Sequence, residues 1–171
     1  ASVATQPERC HVIGAYALGK AQRVIKLIRE AGHDAPIYLH GAQEKLCGYY
    51  MEQRIDLGDL RKALDREKES FRGHIVIAPP SALRDRWSRR LPDPVVCQAS
   101  GWMTIKQRAK QSGVELPLVI SDHADWNELT TTIAATGAET VWVTHGREDA
   151  LVHWCRPVSY THLRAHETFA N

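Results

Sequence analysis

Long apolar runs are missing from this 171-residue chain. No stretch of about 18 consecutive apolar residues occurs, so nothing in it reads as spanning a membrane. The opening residues, ASVATQPERC, lack the basic and apolar regions of a signal peptide. They also lack an initiator Met, so the true N-terminus is expected upstream, and the expected compartment is cytoplasmic. Cys-x-x-Cys pairs are absent as well: Cys10, Cys47, Cys97 and Cys155 are widely separated. Without a secretory signal, that spacing argues for reduced, buried thiols rather than a disulfide framework. A strong charge of one sign is lacking too. Lys and Arg total 22 against 20 Asp and Glu, a net +2 that does not by itself imply a nucleic-acid partner. No internal repeat is found.

What remains is an ordinary globular composition, 43% hydrophobic and 25% charged. Short apolar runs alternate with helical patterns. CHVIGAY (residues 10–16) reads as a strand, and residues 18–31 as a helix with Ala21, Val24, Ile25 and Ile28 inward, stopped by Gly32. PIYLH (36–40) reads as a second strand, followed by a helix over 42–53. The charge-rich residues 56–72 suggest one exposed helix between loops. HIVIA (74–78) is a third strand, Ser81 caps a short helix through Trp87, and PVVCQA (94–99) is a fourth strand. Residues 103–117 read as a polar connector. Strand and helix alternating over short connections give an α/β class, a mostly parallel sheet with flanking helices.

The stretch 118–154 contains the chemistry. Leu118–Ile120 and Thr140–Val143 are strand candidates, each running into a histidine: Ser121-Asp122-His123-Ala124-Asp125 after the first, Thr144-His145-Gly146 after the second. Residues 126–136 between them read as a helix with Trp126, Leu129, Ile133 and Ala134 on one face. A strand–helix–strand crossover would bring His123 and His145 to one sheet edge, where open α/β sheets collect ligands. Residues 156–171 have no apolar period and are expected to be a non-native tail. Their His162 and His166 form an H-x-x-x-H pair without the Glu of H-E-x-x-H, and are not taken as metal ligands.

Gly14 to Lys20 (GAYALGK) fits the phosphate-binding G-x-x-x-x-G-K pattern between a strand and a helix, and LVISD (118–122) resembles a strand ending in a magnesium-site Asp. Against a P-loop, Ala21 stands where a Ser or Thr hydroxyl is required, and Tyr16 and Leu18 crowd the loop. A helix N-terminus at Gly19-Lys20 still suits a phosphate of another ligand. Arg84, Arg86, Arg89 and Arg90 cluster within seven residues, and Lys106, Arg108 and Lys110 follow. Such runs are either a solvated face or contacts to a nucleic-acid backbone. Trp102 and Trp126 read as core aromatics rather than stacking platforms.

At SDHADW and VTHG the chain resembles the metallo-β-lactamase-fold nucleases that carry a β-CASP insertion. YALGKAQ, PIYLHG, HIVIAPPSAL and VVCQASGW resemble segments of that insertion in the same order. The spellings APPSALRDRW, ASGWM and SDHADW resemble the bacterial ligase-associated DNA exonucleases, which are related to messenger-RNA 3′-end processing factors. The resemblance implies a β-CASP domain over residues 1–117 and the C-terminal strand–helix–strand return of the lactamase domain over 118–155. It implies the C-terminal portion of a zinc-dependent DNA exonuclease, a hydrolase of phosphodiester bonds linked to DNA repair and ligation. Two zinc ions would activate a hydroxide and stabilise the phosphate in flight. His145 would ligate one of them, and His123 would contact the phosphate or act as general acid, with Asp122 and Asp125 orienting it. Lys20, Arg84, Arg86, Arg89, Arg90 and Lys106 would contact nucleic acid. The implied partners are DNA or RNA ends, with an ATP-dependent DNA ligase and a helicase, and no membrane. No His-x-His occurs in the chain, so the family's main zinc cluster is not in this sequence and the polypeptide is expected to be inactive alone. The alternatives are a non-catalytic nucleic-acid-binding lid module or a P-loop-like nucleotide-binding domain.

Overall fold

β-Branched side chains pack well on a pleated surface and lose rotamer freedom in a helix, so short runs rich in Val and Ile favour strands. The computed structural model describes residues 1–64, 66–144, 148–155 and 161–164. They divide into two units, Ala1–His123 and Ala124–Asn171; the expected division lay between residues 117 and 118.

In chain order the first unit contains α1 (Ser2–Thr5), β1 (Cys10–Gly14), α2 (Lys20–Glu30), β2 (Ile37–Leu39), α3 (Gly41–Glu52) and β3 (Leu60–Lys62). It continues with β4 (Ile75–Ala78), β5 (Pro94–Ala99), α4 (Lys106–Gln111) and β6 (Leu116–Leu118). Short 3₁₀ turns occupy Lys68–Phe71, Pro80–Arg84, Arg86–Arg90 and Gly101–Thr104. The six strands form one sheet, β3-β2-β4-β1-β5-β6, with every pairing parallel. This is the expected α/β class.

Side-chain alternation along the strands splits the interior into two layers. Ile13, Leu39, Ile75 and Ile77 pack with Ala21, Val24 and Ile25 of α2 and Cys47 of α3. Val12, Tyr38, Val76 and Ala78 point the other way, against Phe71, Ala82 and Leu91. Burial on both faces explains why β1 and β4 read as unbroken apolar runs rather than alternating ones. Each such Ile or Val stabilises the fold by about 1.5–3 kcal/mol through removal from water. All four cysteines are buried and free. Among the described residues no helix is long and apolar enough to cross a membrane.

Besides the Ser81-capped helix through Trp87, which is two short 3₁₀ turns with N-caps Pro79 and Asp85, three sequence expectations need correction. Residues 56–72 do not form a helix. Gly58 turns the chain at φ +71°, and a Cβ there would meet Arg29 Nε at 2.5 Å. The segment then enters the sheet as β3, with Ile37 opposite Leu60. Its charged Arg61 and Lys62 suit an edge strand. The connector 103–117 contains α4 and β6, and the strand expected at 118–120 is displaced to Leu116–Leu118. Pro117 is tolerated because β6 lies at the sheet edge. Ile120 N–H donates to Leu118 C=O at 2.9 Å, which turns the backbone out of the sheet.

The third correction concerns the crossover. The second unit holds α5 (Trp126–Thr136), β7 (Thr140–Val143), α6 (Glu148–Cys155) and β8 (Thr161–Arg164). β7 pairs in parallel with β8, not with residues 116–120, so the expected one-sheet crossover is not formed. α5 begins with a reciprocal capping box: Glu128 N–H donates to Asp125 Oδ1 at 2.8 Å, and Asp125 N–H to Glu128 Oε2 at 3.0 Å. Gly137 closes it in the left-handed region. Its expected apolar face is not sealed: Trp126 is 46% exposed and Leu129 is exposed, while Thr130 is buried. Trp142 of β7 is 64% exposed.

Candidate functional site

The carboxyl ends of β1, β4, β5 and β6 share one edge, and the chain leaves β1 toward β2 on one side but reaches β5 on the other. Ligands collect outside such a reversal in open α/β sheets. A cavity of about 540 Å³ opens there, lined by Tyr16, Lys20, Gln98, Ser100, Trp102 and His123 among others.

Each wall has a local cause. Gly14 ends β1 where a Cβ would lie 2.6 Å from Leu83 Cδ1, so only glycine passes without displacing that side chain. Gly19, at φ +75°, turns the loop into α2. Lys20, the first residue of α2, has a side chain only 4% exposed, and its Nζ lies 2.7 Å from Asp122 Oδ1. Burying an ammonium group demands such a partner. The hydrogen bond from Lys20 in turn holds the Asp122 carboxyl below its ordinary range, against partial desolvation. Lys20 Nζ also sits 5.3 Å from the centroid of the Tyr16 ring.

Arg23, one turn on, donates from Nη1 to Ser121 C=O at 2.6 Å. His123 N–H donates to Ser121 Oγ at 3.1 Å. The 121–123 segment is thus fastened to α2 at two points, and His123 is presented outward with its side chain 86% exposed. Its Nε2 lies 3.9 Å from Asp122 Oδ1. Gly101 permits the neighbouring loop to approach, since a Cβ there would lie 3.2 Å from Ser121 Cβ.

The structure therefore brings Lys20, Asp122 and His123 together. His145, the expected zinc ligand, lies outside the described residues. Arg86, Arg89 and Arg90 are exposed on their 3₁₀ turn, and Lys106 is exposed at the start of α4; none of them lines this cavity. Arg84 borders an adjacent cavity of about 540 Å³ that shares Pro80 and Gln98. Its Nη2 donates to Ser112 C=O at 3.3 Å. Trp87, between the arginines, is an anchor rather than a contact residue: its ring meets His40 at 4.7 Å and packs on the core.

The P-loop alternative loses its cradle. Lys20 N–H donates to Leu18 C=O at 2.9 Å and Ala21 N–H to Tyr16 C=O at 3.0 Å, so these amides are spent within the loop. The Ala21 methyl is buried. The described residues do not fit a zinc site either. No three His, Cys, Asp or Glu side chains gather among them in a way that could hold a metal ion, and Asp122 is already paired with a cation.

Sequence reasoning missed Trp102. It is 59% exposed, not core, and it lines the cavity. The usable signal was its place just past the carboxyl end of β5, in a polar stretch, since position in an α/β sheet outweighs the general preference of Trp for burial.

No protein-family model matches the chain. Over 135 residues, 79% of its length, the chain is 27% identical to a protein of Opitutus terrae described as a probable DNA ligase. The match spans 13% of that protein. This ties the chain to a DNA-ligase-related protein and does not reach a β-CASP nuclease.

Proposed function

We propose that the chain is a strand-handling part of a zinc-dependent nuclease that trims DNA ends for ligation, a phosphodiester hydrolase acting as an exonuclease in the cytoplasm, with a ligase and a helicase as associated proteins. The observation that carries this reading is the Lys20–Asp122–His123 group at the mouth of the sheet-edge cavity. An exposed imidazole beside a carboxylate that the buried Lys20 ammonium keeps ionised suits exchange of a proton with a phosphodiester. Similarity to a probable DNA ligase and the ordered β-CASP-like segments support the same substrate class. In this reading His123 contacts the phosphate or protonates the leaving oxygen, and Asp122, kept ionised by Lys20, biases the orientation of His123. Zinc belongs to residues beyond the described set, with His145 proposed among them.

A second reading, a lid module that binds DNA without cleaving it, is favoured by the lack of a three-ligand cluster among the described residues. One experiment separates the two. End-labelled duplex is incubated with zinc and either the longer enzyme or the 171-residue chain. The longer enzyme should release nucleotides and the chain none. His123→Ala in the longer enzyme should cut turnover about a hundredfold or more, and His145→Ala should abolish zinc-dependent turnover. Wild-type turnover in both variants would contradict the site assignment.

A further inference from the structure

Trp102 stands on the 3₁₀ turn Gly101–Thr104, directly after β5. Ser100 fixes that turn: its Oγ accepts from Trp102 N–H at 3.2 Å, and its own N–H donates to Leu118 C=O at 3.0 Å. Met103, the next residue, is buried, so the turn spends its apolar contact on Met103 and leaves the indole outside. An exposed indole in so well fixed a position forgoes a large apolar surface that folding could have used.

The indole is not bare on both faces. The guanidinium of Arg108, on α4, lies 3.9 Å from its ring centroid. Trp102 borders two cavities, the sheet-edge cavity of about 540 Å³ and a neighbouring one of about 430 Å³. Arg108 borders only the second. A cation that does not line the sheet-edge cavity therefore sits over the ring, while Trp102 itself borders that cavity together with Lys20. Tyr16, a second exposed aromatic, lines the same cavity. Gln98, Ser100 and Ser121 supply polar groups around it.

We propose that Trp102 is a stacking platform for one unpaired base of a DNA strand entering the sheet-edge cavity. This rests on the reading of the chain as a handler of DNA ends. Stacking tolerates any base, since each presents a π-face, and demands that the base be unpaired. Arg108 holds the indole in place before the strand arrives and so lowers the ordering cost of binding. A cavity of this size accommodates one nucleotide, pocket volumes for small ligands running from roughly 300 to 1,000 Å³. Lys20 is already neutralised by Asp122. The phosphate therefore adds little net charge pairing, and the base contact dominates the local affinity.

The test measures binding of the chain to a fluorescent single-stranded oligothymidylate, and to the same strand with a single abasic site stepped along it. Trp102→Leu keeps apolar bulk without the π-face, and Trp102→Tyr keeps a ring. Trp102→Leu should weaken binding roughly five- to a hundredfold, by the same factor at low and high salt, and Trp102→Tyr should remain within a few-fold of wild type. One abasic position should cost the wild type a similar factor and cost Trp102→Leu nothing further. Equal binding by wild type and Trp102→Leu, or an abasic penalty that survives in Trp102→Leu, would overturn the platform while leaving the DNA reading intact. No binding of the strand by the wild type at any salt would overturn both.

Discussion

Ile25 of α2 and Leu129 of α5 occupy comparable places on amphipathic helices, yet Ile25 is fully buried and Leu129 stands exposed. The same contrast holds for the strands: Ile77 of β4 is sealed on its face of the sheet, while Trp142 of β7 faces water. In Ala1–His123 the inward residues of α2 and α3, Val24, Ile25 and Cys47 among them, pack on the six-stranded sheet. In the described part of Ala124–Asn171 an apolar stripe exists in the sequence, but its large members Trp126, Leu129 and Trp142 are not sealed. A periodic pattern states which face of a helix is apolar; it does not state whether anything covers that face.

Substitution offers the strongest way to sharpen that contrast. Ile77→Ala should cost about 2–5 kcal/mol, the range for emptying a sealed aliphatic site. Leu129→Ala should cost under about 1 kcal/mol, as for exposed positions. Urea unfolding midpoints measure both, and an equal loss from the two substitutions would erase the distinction between the units.

Acid should act on the sheet unit next. Burial pushes the imidazoles of His11, His33 and His40 below their ordinary value. Each therefore stays neutral in the folded chain at a pH where the unfolded chain takes up a proton. Their contribution is present above the ordinary histidine range and is lost as the pH falls from that range toward the depressed values. Asp122 and Glu115 are held below the ordinary carboxylate range by hydrogen bonds from Lys20 and Arg9. Their contribution persists through mildly acidic pH and is lost only when the pH drops through their depressed values. The Tm should thus be lower at pH 5 than at pH 7, with a second decline below the carboxylate range. A Tm independent of pH across both windows would contradict these assignments.

Much of the sheet was legible because HVIG, IYL, IVIA and VVCQA are strand-forming runs bounded by turn residues. β3 was not, because Leu60-Arg61-Lys62 carries edge-strand charge that reads equally well as a solvated helix, and only the turn at Gly58 over Arg29 decides the matter. β6 lies two residues before the apolar run 118–120 and was not legible there, because Pro117 argues against a strand everywhere except at an edge. At the site, the 121–123 turn and Lys20 were each visible singly. Their pairing was not: partners such as Arg23 and Ser121 are 98 residues apart, and only the fold brings them together. Trp102 was misplaced because its side chain says interior while its position after β5 says cavity wall.

The proposed entry of a DNA strand is at the carboxyl edge of the sheet, beside Lys20 and Trp102. Amide chemical-shift mapping of the isotope-labelled chain, titrated with a short single-stranded oligonucleotide, tests it most directly. The largest shifts should fall at Tyr16, Lys20, Ser100, Gly101, Trp102 and Ser121 to His123. Shifts confined to Arg84 through Arg90, with the sheet-edge residues unmoved, would contradict it.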